Sequence, residues 1–302
     1  MYGQRLLGGP DASGGPPAAR VTEKYNTARS VQGNRERGAG EPGPGGGICM
    51  ERDIELFIKE HVDLKGAAVV EGFPSVGLVS TLAANYLIEQ LKLPKIGCIT
   101  SRFLPVTSII RDGEPNYPVR IYGDKRLVVF ISEFRPPANL VQPIVDGILD
   151  WTRKMGCDLI ISAEGLPMAE TGGHPEEIHV FGVASSRRGR DLLDQKKINI
   201  LNEGIITGIS GVLLNEGVRQ DRDVLCIIAD AHESYPDARA AARIVEAIDS
   251  LLPQIELDTK PLYEEAEKME TEIKAALAKI QPALAGHQNP LEMDQAPAGM
   301  YR

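Results

Sequence analysis

Cysteine is scarce in this chain: Cys49, Cys98, Cys157 and Cys226 are spread over 302 residues. They form no C-x-x-C pair, so neither a zinc knuckle nor a dense disulfide framework is signalled. Three of them sit in apolar, strand-like surroundings and read as buried free thiols of a reducing cytoplasm. Long hydrophobic runs are missing too. Leu127-Val128-Val129-Phe130-Ile131 is strand-length, far short of the roughly 20 residues that cross a bilayer. Positive charge is in deficit, with 33 Lys and Arg against 42 Asp and Glu and a formal net charge of −9. That balance excludes the basic surface with which nucleic-acid binders neutralise phosphates. What remains, at 42% hydrophobic residues, is the composition of a soluble globular protein with a sizeable core.

Glycine and proline crowd the start. Residues 1–49 hold Gly43-Pro44-Gly45-Gly46-Gly47 and scattered arginines with almost no aliphatic clustering, so this leader is expected to stay disordered. It lacks the apolar stretch of a secretory signal. Folded-protein patterning begins at Met50, which suggests a biological start there and a gene-model extension before it; a real but disordered tail is the alternative.

Residues 50–256 alternate short β-branched runs with amphipathic stretches, the text of an α/β domain folded as a three-layer α/β/α sandwich. Strands are predicted at Ala67 to Glu71, Ile96 to Thr100, Leu127 to Ser132, Leu159 to Ala163, His179 to Ala184 and Val224 to Ile228. Helices are predicted near Leu78 to Leu91, Asn139 to Met155, Gly208 to Arg219 and Ala238 to Leu252, the last with Asp237 as N-cap. After Pro253 comes a separate coiled-coil-type helix over 257–281, with Pro261 in its first turn. Leu262, Ala266, Met269, Ile273, Ala276 and Ile280 are spaced 4, 3, 4, 3, 4, a heptad seam flanked by Glu and Lys. One apolar stripe must pack on something: either its own domain or copies of itself as an oligomerisation helix. Residues 282–302 form a flexible tail whose roughly 20 residues reach on the order of 25 Å as a coil.

Catalytic signatures do not close. Glu71-Gly72-Phe73-Pro74-Ser75-Val76-Gly77-Leu78 joins a strand to a helix, yet it is neither G-x-G-x-x-G nor a P-loop and reads as tight-turn packing. Ser75 and Ser210 lack the G-x-S-x-G elbow, because Phe73 and Val212 stand where glycine is required. His174, Glu176, Glu177 and His179 fit neither H-E-x-x-H nor H-x-x-E-H and read as a solvated loop. His232-Glu233-Ser234-Tyr235 follows a strand end, where α/β folds often place ligand groups. No metal or cofactor is expected.

Taken in order, these segments resemble the proteasome assembly chaperone family, in particular its archaeal members. The resemblance spans about residues 55–253. It is carried by Val70-Glu71-Gly72-Phe73-Pro74-Ser75-Val76-Gly77, by Ala84, Tyr86 and Leu87-Ile88, by Ala163-Glu164-Gly165, by Gly208-Ile209-Ser210-Gly211-Val212-Leu213-Leu214, and by Tyr235-Pro236-Asp237 with Ala240-Ala241. It implies an α/β/α sandwich without known catalysis that assembles into homo-oligomers and binds proteasome α-type subunits. The ending Met300-Tyr301-Arg302 resembles the hydrophobic-Tyr-X signal with which activators enter pockets on the end rings of the proteasome core particle. Relatives with that ending look like ATP-independent activators or assembly factors, often tetrameric through their C-terminal helices. The expectation is therefore a cytoplasmic, non-enzymatic protein whose partners are the proteasome α-ring and itself. The alternative is a small-molecule or nucleotide-binding enzyme using the strand-end loops near Gly72, Glu164 and His232.

Overall fold

The computed structural model describes residues 23–25, 53–59, 62–168 and 178–264, together with Ala266 and Lys268. Its strands are β1 (Glu23–Tyr25), β2 (Glu55–Ile58), β3 (Ala68–Gly72), β4 (Lys95–Thr100), β5 (Ile109–Arg111), β6 (Glu114–Asn116), β7 (Val119–Gly123), β8 (Leu127–Ser132), β9 (Leu159–Pro167), β10 (Val180–Ala184), β11 (Asn199–Ile200) and β12 (Asp223–Ala231). Its helices are α1 (Val79–Gln90), α2 (Ala138–Met155), α3 (Arg187–Gln195), α4 (Gly208–Gln220) and α5 (Ala238–Leu251). All strands but β5 and β6 join one sheet in the order β1-β2-β4-β7-β8-β3-β9-β12-β10-β11. At its centre β8, β3, β9 and β12 run parallel, while β2, β4 and β7 form an antiparallel wing.

Strand alternation divides the core between the two faces of the sheet. Leu127, Val129 and Ile131 of β8 and Leu225, Ile227 and Ala229 of β12 pack with α1 and α5. Val128 and Phe130, with Val224, Cys226 and Ile228, pack with α2 and α4 on the other face. The parallel strands are apolar on both sides, as a doubly covered sheet requires. Trp151 of α2 meets Phe130 edge to face, ring centroids 5.7 Å apart, and is 1% exposed. Cys98, Cys157 and Cys226 are buried free thiols, and burial pushes all three up, Cys98 and Cys157 to about 11.

The six strands and four helices predicted for residues 50–256 are present with shifted ends. Strands β9 and β12 run to Pro167 and Ala231, past Ala163 and Ile228, because they remain in register through Glu164 opposite Ile228 and Pro167 opposite Ala231. Strands β2, β5, β6, β7 and β11 and helix α3 were not foreseen. Within the leader, Glu23–Tyr25 pairs antiparallel with β2, whose open edge offers unpaired backbone groups.

The domain core does not stop at 256. Leu257 N–H donates to Asp249 (3.1 Å), Tyr263 O–H to Glu246 (2.9 Å), and Tyr86 O–H to the Asp258 carbonyl. Residues 260–264 are helical, with Pro261 in the first turn. No described helix is long and apolar enough to cross a membrane.

Candidate functional site

The C-terminal ends of β3, β9 and β12 meet, the first and last leading into α1 and α5, and glycines let their backbones interlock. A Cβ on Gly72 would lie 2.2 Å from that of Ala84, so α1 lies directly on the end of β3. A Cβ on Gly165 would come within 2.4 Å of the Val76 carbonyl. Gly77 takes φ +59° and presses on the His232 carbonyl, 2.7 Å from where its Cβ would be. Asp237 locks the loop after β12 to the loop after β3: its N–H donates to the Gly77 carbonyl (2.8 Å), and its carboxylate accepts from His232 N–H (3.1 Å) and, as N-cap of α5, from Ala240 N–H (2.9 Å). The space a phosphate would need beside Gly72 is filled by α1, which makes this glycine a packing device.

Beneath these loops runs a buried polar chain. Glu71 is 1% exposed and accepts from Phe73 N–H at 2.7 Å. Its other oxygen is 2.5 Å from Ser162 Oγ, which is 2.7 Å from Ser210 Oγ, which is 2.9 Å from a Glu164 carboxyl oxygen. These three oxygen–oxygen contacts each need a hydrogen, and two serine hydroxyls supply only two. One carboxyl of the pair therefore carries a proton. Glu71 is that group: burial raises it to about 8, against the lowering pull of Ser162 and Phe73 N–H. Glu164 is also raised by burial, but Ser210, Gly165 N–H and the nearby Arg135 oppose the shift. The chain thus runs from protonated Glu71 through Ser162 and Ser210 to Glu164.

Above it opens a cleft of about 180 Å³ lined by Glu71, Ser75, Glu164, Ser210 and the exposed Arg135. A neighbouring hollow of about 370 Å³ shares Ser75, Val76 and Arg135 and reaches Tyr235. Ser210 has Ser162 and Glu164 as partners, and Ser75 has Ser80, so neither hydroxyl faces a histidine base among the described residues. The arrangement can hold and pass a proton. It does not present an activated nucleophile.

Sequence reasoning brought Gly72, Glu164 and His232 to one end of the sheet, and they are there. It passed over Ser162, a lone serine in an apolar strand, and Arg135. His179 pairs with Asp230 through Nδ1 at 2.9 Å. His174, Glu176 and Glu177 lie outside the described residues, as do Met269, Ile273, Ala276, Ile280 and the ending Met300, Tyr301 and Arg302. Of the heptad seam, Leu262 is 3% exposed and belongs to the core beside α1 and α5, and Ala266 is 2% exposed. Its first two positions are thus buried within the protomer.

A mixed sheet, parallel at its centre and set between helix layers, with loops knitted over a buried carboxyl–serine chain, defines an α/β/α protein with no completed catalytic constellation among the described residues. The PAC2 family model matches residues 69–277, and the chain belongs to that family. Among solved structures it is similar to Pyrococcus furiosus PbaA, described as an archaeal homolog of proteasome-assembly chaperone. That likeness has 30% identity and a TM-score of 0.70 and covers 78% of this chain and 96% of that one. Pyrococcus furiosus PbaB, described as an archaeal proteasome activator, shares the fold at 22% identity and a TM-score of 0.65, over 75% of this chain and 99% of its own. An uncharacterized protein of Methanocaldococcus jannaschii is 26% identical over 228 residues, 74% of this chain and 91% of that protein.

Proposed function

We propose that this chain is a proteasome-binding assembly chaperone or activator that works without ATP and without catalysis. The likeness to PbaA over nearly the whole of that protein is the observation that carries this reading. The ending Met300-Tyr301-Arg302 supports it. In this reading the Arg302 carboxylate pairs with a lysine in the pocket between neighbouring α subunits. Tyr301 supplies a rigid aromatic body with one hydroxyl, and Met300 fills an apolar lip. Met269, Ile273, Ala276 and Ile280 bundle copies into a homo-oligomer, a tetramer, in the cytoplasm. Several tails on one oligomer then bind with avidity about 10² to 10⁴ above a single site.

The test is a pull-down of core particle with full-length protein, with protein lacking Met300 to Arg302 and with Tyr301→Ala, peptide hydrolysis being read alongside. Both variants should lose binding and stimulation, and undiminished capture by either overturns the docking mechanism. The second reading, a small-molecule enzyme, is favoured by one observation, the proton-carrying chain beneath the cleft. Melting shifts with a panel of nucleotides and nucleosides test it; a flat panel counts against it.

A further inference from the structure

The antiparallel wing is covered unequally. Ile54, Leu56 and Ile58 turn to the α2 side, with Val119 and Ile121 of β7, and are buried there. Phe57 of β2, Lys59 just past its end and Arg120 of β7 point the other way by strand alternation. Helices α1 and α5 serve the central strands on that face, and the β5–β6 hairpin folds over the wing instead. Between hairpin and sheet lies a pocket of about 170 Å³ lined by Phe57, Lys59, Lys95, Cys98, Tyr117 and Arg120, among others.

Among the described residues, every charged side chain lining it is cationic. Arg120, 1% exposed, is held by Glu133 through both terminal nitrogens (2.8 and 2.5 Å), while its buried Nε has no hydrogen-bond partner among the described residues. Lys95 bonds to Asn116, and Lys59 is exposed with no ion pair among the described residues. The segment that supplies β4, the hairpin and β7 is cationic as a whole. Residues 92–135 hold eight Lys and Arg against four Asp and Glu, in a chain whose net charge is −9. The rim is apolar and protruding: Ile110, opposite Pro115 in the hairpin, is 62% exposed, and Tyr117 is 57% exposed.

We infer that this pocket and hairpin form a docking surface for an acidic segment of a protein partner, one carboxylate entering between Lys59 and Lys95 and an adjoining aliphatic or aromatic side chain resting on Ile110 and Tyr117. Charge complementarity selects an anion. The exposed apolar rim selects a peptide, because a free inorganic anion gains nothing from burying Ile110. Its described lining residues all lie between Phe57 and Arg120 in the sequence.

Panning a random dodecapeptide display library on the full chain, with subtraction on the Lys59→Glu/Lys95→Glu double variant, tests this. Sequences with two or more acidic residues beside Leu, Ile, Phe or Tyr should be enriched. A fluorescein-labelled copy of the best peptide should bind at least about tenfold more weakly to the double variant, more weakly to Ile110→Ser, and undiminished to protein lacking Met300 to Arg302. Circular dichroism and melting confirm that the variants, all at exposed or half-exposed positions, are folded. Absence of enrichment, or peptides that bind the charge-reversed protein equally, overturns the inference. So does full displacement by millimolar inorganic phosphate with Ile110→Ser unaffected, which marks a small-anion pocket.

Discussion

Ser162 Oγ lies 2.5 Å from Glu71 Oε2 with both residues essentially sealed from solvent, and this contact ties β9 to β3 under the strand-end loops. Its chemistry fixes a pH dependence. The folded protein holds Glu71 at about 8, above the ordinary 4.5 that the unfolded chain restores. The associated stability is therefore fully present below pH 4.5 and is lost as pH rises to about 8, on the order of 5 kcal/mol in all. Glu133 and Asp124, held low by Arg120 and Arg126 against the opposing pull of burial, act in the opposite sense and below that window.

Glu71→Gln is the matching probe. Its carbonyl can accept from Phe73 N–H and its amide can donate to Ser162, copying the protonated carboxyl at a cost of about 1 kcal/mol for the longer N–H···O contact. Urea unfolding at pH 5.5 and 8.5 should show wild type losing stability between the two and Glu71→Gln losing much less. Parallel losses in the two proteins would mean that Glu71 is ionised in the fold.

Gly165→Ala tests the interlock of the loops. Its Cβ would sit 2.4 Å from the Val76 carbonyl, which is backbone and cannot rotate away. About 1 to 3 kcal/mol of destabilisation is expected, read as a lower midpoint with an unchanged denaturant slope. Gly66→Ala is the control for backbone strain alone, since nothing lies near its Cβ although φ is +77°.

The sequence made the central sheet legible because its strands are continuous apolar runs and the helices between them are periodic. The wing was not legible, for physical reasons. Strand β2 is four residues long, and β6 is only Glu-Pro-Asn, with a proline tolerated because the hairpin stands outside the main sheet. Helix α3, Arg-Arg-Gly-Arg-Asp-Leu-Leu-Asp-Gln, buries only Gly189 and Leu193 and carries almost no apolar stripe, so tertiary context decides it. The strand-end residues were visible as motifs. Their coupling was not: Ser162 and Ser210 become one chain only when β9 and α4 meet.

Asp237→Ala removes a cap and a clamp together. The carboxylate, 1% exposed, caps Ala240 N–H and holds His232 N–H, whose loop presses on Gly77. A loss of about 2 kcal/mol is expected, at the upper end for a helix cap. Asp237→Asn keeps an acceptor oxygen and should restore most of it. Thermal melts of the three proteins at one pH check the order.

The seam after Ala266 separates folding from assembly in the proposed function. Leu262 is spent on the core of its own protomer, so Leu262→Asp places a charge in a site 3% exposed and should lower the melting temperature sharply. Ile273→Asp with Ile280→Asp introduces charge further along the same stripe. If those positions join protomers, light scattering should report a monomer while the melting temperature of the domain stays near that of the wild-type protomer. Each released monomer still carries its tail, so binding to core particle should fall by about 10², the avidity share, and should not vanish as it does for Tyr301→Ala. An oligomer that survives both aspartates would place the self-association surface elsewhere while leaving the tail experiment unaffected.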